Sequence, residues 1–154
     1  MKELFASIFE FFGFPIYDAF TLGDWLRGWD PISQSYSGTD YYSIFGIVII
    51  LICSVFYALQ YHIIDSSTFN KAKHLWLMVL SVCVINFLIA FGIPYNELIA
   101  GNIDDSILFT TSDCIAFGIS VAIWSLIIMA LLTSFPYPRM WGDNCRFTTL
   151  WNPF

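Results

Sequence analysis

Three runs without a single charged residue dominate the chain: YSIFGIVIILICSVFYALQYHII (42–64), LWLMVLSVCVINFLIAFGIPY (75–95) and CIAFGISVAIWSLIIMALLTSF (114–135). A helix of roughly 20 apolar residues crosses ~30 Å of hydrocarbon. Each run meets that length. Three of them in a row leave too little polar sequence to cover them as buried helices of a water-soluble fold. The pattern predicts an all-α integral membrane protein with three transmembrane helices over 41–64, 75–95 and 114–135. The connecting segments are a loop over 65–74 and an acidic loop over 96–113.

The first forty residues follow a different pattern. MKELFASIFEFFGFPIYDAF is apolar, but Glu10 and Asp18 interrupt it, and Gly13 and Pro15 break any helix between them. A carboxylate at the centre of a spanning helix costs ~2.5–3.5 kcal/mol on the insertion scale. A fourth span is therefore disfavoured. The segment is expected to form a short interfacial helix, with Leu4, Phe5, Ile8, Phe9, Phe11 and Phe12 on its apolar face. The alternative is a re-entrant hairpin, which needs protein around it to satisfy its backbone. A second short helix is expected in TLGDWLRGWDP, where Trp25 and Trp29 are interfacial anchors and Gly28 and Pro31 end it. No cleavable leader is visible, since Glu3 follows Lys2 at once, so the first span is expected to serve as the insertion signal.

Composition supports the membrane reading. The chain of 154 residues is 58% hydrophobic and only 12% charged, whereas about a quarter of a soluble domain is charged. Charge then sets orientation. Lys71, Lys73, Arg139 and Arg146 share one side of a three-span chain, and Lys2 and Arg27 the other. Basic residues favour the cytoplasmic side. The expected protein sits in an inner or plasma membrane with its N-terminus outside and its C-terminus in the cytoplasm. Ten of the twelve acidic residues then lie outside. An acidic exterior argues against nucleic acid as a partner and favours cations or a basic protein surface.

Helices in lipid associate through small and polar residues. Span one offers Ser43, Gly46, Ile50, Cys53 and Tyr57 at helical spacing. Span two offers Cys83, Asn86 and Ala90, and span three offers Gly118, Ala122, Ser125 and Met129. These mark packing or pore-lining faces. Asn86 stands out because an unpaired amide at mid-span costs several kcal/mol. It should bond another helix or, in an oligomer, face a pore axis. Pro94 is expected to kink or end span two.

Little else carries chemistry. Cys53, Cys83, Cys114 and Cys145 recur at intervals of 30 or 31 residues, but their flanks do not match and no CxxC pair exists, so free thiols are expected. His62, Asp65, Ser66 and His74 lack the nucleophile elbow of a hydrolase. The outer acids Glu97, Asp104, Asp105 and Asp113 lack EF-hand spacing; Asp113 or Ser112 is a natural N-cap for span three. No catalytic residue, metal site or cofactor is expected. No carboxylate or basic residue lies inside a span, and ion-coupled transporters usually need one.

The chain ends in FPYPRMWGDNCRFTTLWNPF (135–154). Proline breaks it too often for a long helix, and it is expected to be an irregular aromatic tail over 136–154. Tyr137 and Trp141 suit headgroup level. Phe147, Leu150, Trp151 and Phe154 carry more apolar surface than a free tail should expose, which suggests docking. The expected role is a non-enzymatic subunit that anchors or assembles into a larger membrane complex through helix packing and this tail. Its partners would be membrane lipid and either further copies or other membrane subunits. A small homo-oligomeric channel, with Asn86 inward and the outer acids at its mouth, is the alternative. A membrane immunity protein is the third.

Overall fold

The computed structural model describes residues 2–11, 21–60, 72–101, 103, 107 and 109–134, whose regular elements are all helices. Five helices follow in order: α1 (Lys2–Glu10), α2 (Leu22–Leu26), α3 (Tyr41–Ala58), α4 (Ala72–Ala100) and α5 (Thr111–Ser134). The last three are long and apolar enough to cross a membrane. At 1.5 Å per residue they measure about 27, 43 and 36 Å. By length and composition the described residues thus hold three helices able to span a membrane, with two short helices before the first of them.

Local sequence explains where the long helices start. Asp40 precedes α3 and accepts from the Ser43 backbone N–H at 3.2 Å and from the Ser43 hydroxyl at 2.6 Å. Thr110 precedes α5. Its backbone N–H and hydroxyl both bond the Asp113 carboxylate, at 2.7 and 2.8 Å, while its carbonyl accepts from the Asp113 N–H. Asp113 thus closes the first turn from the third position, the reciprocal half of a capping box, with Thr110 as the residue before the helix. At the other end of α4, Gly101 takes a positive φ of 67°, the left-handed conformation that commonly ends a helix.

One boundary lies beyond the sequence expectation. Span two neither ends nor breaks at Pro94; α4 continues through it to Ala100. Proline lacks only one N–H, and the Ala90 carbonyl that it leaves free lies in a helix where Ala90 itself is fully buried. Span one is helical to Ala58, with a wider π-type turn at Leu59 and Gln60. Residues 61–71 lie outside the described residues.

α5 is the hub, packing along α4 and also against α3 and α1. Close approach needs notches. A Cβ on Gly118 would come within 2.9 Å of the Phe87 ring, so the glycine is what admits that ring. Gly46 does the same for Phe5: any side chain there would overlap the Phe5 ring. In lipid such packing contacts, rather than removal of apolar surface from water, hold helices together.

One end of the bundle is closed by a cap. Leu22 and Leu26 of α2 are fully buried over it, and Trp25 stacks on Tyr41 with centroids 4.4 Å apart and approaches Phe109 at 5.9 Å. Gly28 ends this helix with φ 78°, and its carbonyl accepts from the Gly38 N–H at 2.8 Å. A Cβ on Gly28 would strike the Gly38 backbone at 2.7 Å, so only glycine fits. Between them Asp30 organises the loop, accepting from the Ile32 N–H at 3.0 Å and from the Ser33 and Ser37 hydroxyls at 2.8 and 3.3 Å.

Candidate functional site

Among the described residues, Glu10, Arg27, Tyr42, Asn86, Ser120, Trp124 and Ser125 bond other elements of the same chain. Two junctions result. The first joins α1, the segment after α2, and α3. Glu10 is 7% exposed. Arg27 places one guanidinium nitrogen between its two carboxylate oxygens, at 2.7 and 2.8 Å. The Tyr42 hydroxyl donates to the same carboxylate at 2.8 Å. Arg27 also lies 5.6 Å from the Tyr42 ring, within cation–π range. Burial works against the Arg27 charge, and the Glu10 carboxylate more than offsets it, so the guanidinium pKa stays above its usual value. An unpaired buried carboxylate is among the costliest groups a fold can hold. Here its charge and both its oxygens are engaged.

The same junction solves the end of α1. The last four carbonyls of a helix lack intrahelical partners. The Trp124 indole N–H of α5 donates to the Ile8 carbonyl at 2.7 Å, and the Ser120 hydroxyl donates to the Phe9 carbonyl at 2.6 Å. The cation of Arg27 sits where the negative end of the helix dipole favours it. Ser120 is the tenth residue of α5 and Trp124 the fourteenth, so α1 meets α5 about 13–20 Å from the start of that helix. Phe9 completes the contact, with its ring 5.9 Å from Phe117 and 6.1 Å from Tyr42.

This geometry adds the burial pattern of α1. The segment is helical, but the side it buries carries Ala6, Phe9 and Glu10, while Leu4 and Phe11 are 61% and 75% exposed. Glu10 appeared to forbid burial when taken alone. Arg27 offsets that cost, and Ser120 and Trp124 of α5 bond the last carbonyls of α1.

The second junction lies between the three long helices. The Asn86 side-chain N–H donates to the Ser125 hydroxyl at 2.9 Å and points at the Cys53 sulfur at 3.9 Å. Ser125 gives its own proton to the Val121 carbonyl at 2.8 Å, which leaves its oxygen to accept from Asn86 and fixes the amide's orientation. Asn86 is 1% exposed, and its side-chain carbonyl oxygen has no partner among the described residues.

Of the residues expected to matter, Asn86 and Ser125 meet. Gly46 and Gly118 receive rings from other helices, and Ala90 is fully buried. Cys83 and Ala122 line an open apolar hollow of about 400 Å³ between α4 and α5. The outer acids do not form one cluster among the described residues: Asp113 is engaged in the cap of α5, Glu97 lies on α4, and Asp104 and Asp105 fall outside the described set. Trp25 packs on Tyr41, and Trp29 meets Tyr36 edge-on at 5.0 Å. Tyr137, Trp141, Phe147, Leu150, Trp151 and Phe154 lie outside the described residues, as do His62, Asp65, Ser66 and Cys145. Cys53, Cys83 and Cys114 are free thiols. No group of three or more metal-binding side chains forms among the described residues.

Sequence reasoning missed Glu10, Arg27, Tyr42, Ser120 and Trp124 as a set. One signal was available. A carboxylate inside an apolar stretch needs a cation, and besides Lys2 the first forty residues hold only Arg27. Comparison with protein-family models, with curated proteins and with solved structures returns no match.

Proposed function

We propose that the protein is a non-enzymatic subunit that anchors or assembles into a larger membrane complex. The observation that supports this most is the direction of its polar groups. Glu10, Arg27, Tyr42, Asn86, Ser120, Trp124 and Ser125 all serve internal bonds that hold the helices in place. The outer faces are left apolar. On α4, Trp76, Leu80, Val84 and Leu88 form a stripe at intervals of four residues and are 48–60% exposed. Such a body is a rigid shape offered to lipid and to neighbouring helices. In this reading the acidic, loop-capped end lies outside, where it attracts basic surfaces or cations. The opposite end lies in the cytoplasm, and Phe147, Leu150, Trp151 and Phe154 supply a further contact surface there.

A homo-oligomeric pore is the competing reading, and Asn86 separates the two. A pore-lining amide faces a shared axis, whereas Asn86 bonds Ser125 of its own chain and is shielded from the surface. Ion flux into liposomes holding this protein alone is the test. The subunit reading expects flux no greater than in empty liposomes. Selective flux that Asn86→Leu abolishes would replace it with the pore.

A further inference from the structure

The Phe87 ring packs on Gly118 and closes the gap between α4 and α5 there. One turn nearer the start of α4 the gap opens. Ala122, one turn along α5 from Gly118, is too small to fill it. The hollow of about 400 Å³ runs on from that point, and every residue lining it is apolar, Trp76, Leu80, Cys83, Ile119 and Leu126 among them. From Trp76 to Cys83 α4 advances about 10 Å. Half of a ~30 Å hydrocarbon core is about 15 Å. Leu75 opens the uncharged run of α4, and Cys83 stands near its middle. The hollow therefore covers most of one leaflet and stops near the midplane.

That extent selects its occupant. A neighbouring helix would continue past the midplane, where the Phe87 ring already fills the gap. A phospholipid acyl chain enters from one leaflet and ends near the midplane. Its methylenes need only van der Waals contact, which an apolar groove supplies. Charge selects the headgroup. Lys73 is exposed and precedes Trp76 by three residues on α4. Lys73, Trp76, Leu80 and Cys83 thus follow one face at i, i+3, i+7 and i+10. Trp76 suits headgroup level, and Lys73 continues the same face toward the lipid phosphates. α4 carries no acidic residue before Glu97, near its other end.

We propose that the α4–α5 groove holds one acyl chain of an anionic phospholipid whose phosphate pairs with Lys73. With the N-terminus outside, the start of α4 lies at the cytoplasmic leaflet, where anionic lipids concentrate. The site is built by a single chain, so it stands or falls separately from the subunit reading.

Trp76 is the native reporter. The full chain is placed in phosphatidylcholine nanodiscs containing a minor share of a test lipid brominated high on its acyl chains. Quenching of Trp76 is read as the difference from Trp76→Phe. Brominated phosphatidylglycerol should quench Trp76 at about one fifth of the concentration that brominated phosphatidylcholine needs, the preference expected of one lysine. Lys73→Gln should abolish that preference, and so should Ala122→Leu, which fills the groove. Native mass spectrometry of the unaltered chain should show a single retained phosphatidylglycerol. Equal quenching by the two lipids, a preference that survives either substitution, or no retained lipid would overturn the proposal. Trp76 shielded from both lipids would mean that a second copy or another segment covers the groove, which would also overturn it.

Discussion

Replacing Arg27 by methionine removes the cation that pairs with Glu10 in the first junction while keeping most of the side chain's length. Removing one partner of a fully buried ion pair costs about 3–5 kcal/mol, because the other charge stays buried and alone. Here the side chains of Arg27 and Glu10 are 21% and 9% exposed, so water reaches the pair from one side. The Tyr42 hydroxyl also remains on the carboxylate. A loss of about 2–3 kcal/mol is therefore expected, which lowers the folded-to-unfolded ratio roughly 30- to 150-fold. The assay is reversible unfolding in mild detergent by titration with a denaturing detergent, followed by tryptophan fluorescence. Glu10→Gln combined with Arg27→Met should recover at least half of the loss, since the orphaned charge is gone. The reasoning is refuted if Arg27→Met changes stability by less than about 0.5 kcal/mol, or if the double variant is as unstable as the two single losses added.

Glycine notches give a second prediction: Gly46→Ala should destabilise more than Gly118→Ala, by about 1–3 kcal/mol against less than 1, because its Cβ overlaps the Phe5 ring more deeply; adding Phe5→Leu should restore part of the loss in the same unfolding assay. At the second junction, Asn86→Leu with Ser125→Ala should cost less than about 2 kcal/mol, since one interhelical bond disappears together with a buried oxygen that has no donor among the described residues; a larger loss would mean that this oxygen has a partner. The Ser33 hydroxyl and then the Ile32 N–H hold the Asp30 carboxyl below its usual pKa. Their contribution is therefore complete above the ordinary carboxylate range and is lost as pH falls through the lowered value. Hydrogen exchange at the Ile32 amide should show protection lost only in that acidic window, and protection unchanged at the lowest pH would contradict the assignment. Orientation is checked at Cys145, which should resist membrane-impermeant thiol reagents in intact cells and react once the membrane is opened.

Much of the architecture was legible in the sequence because a span is a local property. Length and absence of charge in 42–64, 75–95 and 114–135 suffice to mark three helices, and Asn86 at mid-span announced an interhelical bond. The T-x-x-D pattern at Thr110 was also available, although the cap is Thr110 rather than Ser112 or Asp113. What stayed hidden depends on pairs distant in the chain. Gly46 could be marked as a notch, but nothing local names Phe5 as its occupant. Ser120 looks like any small polar residue of a packing stripe until it meets the Phe9 carbonyl, 111 residues away. The partners of Glu10 were hidden for the same reason. Its cost is counted at one position, and its compensation comes from Arg27, 17 residues on, and Tyr42, 32 residues on. Pro94 shows the converse, a local helix breaker that its surroundings override.

The central claim is that this rigid, internally bonded bundle works as part of a larger membrane assembly. The mass of the particle extracted in mild detergent tests it most directly, with every protein in it identified. The account predicts a stable particle heavier than one 17.7 kDa chain, containing further copies or other membrane subunits at fixed ratio. A lone chain carrying only lipid and detergent, recovered at every protein concentration and in the mildest extraction, would contradict it.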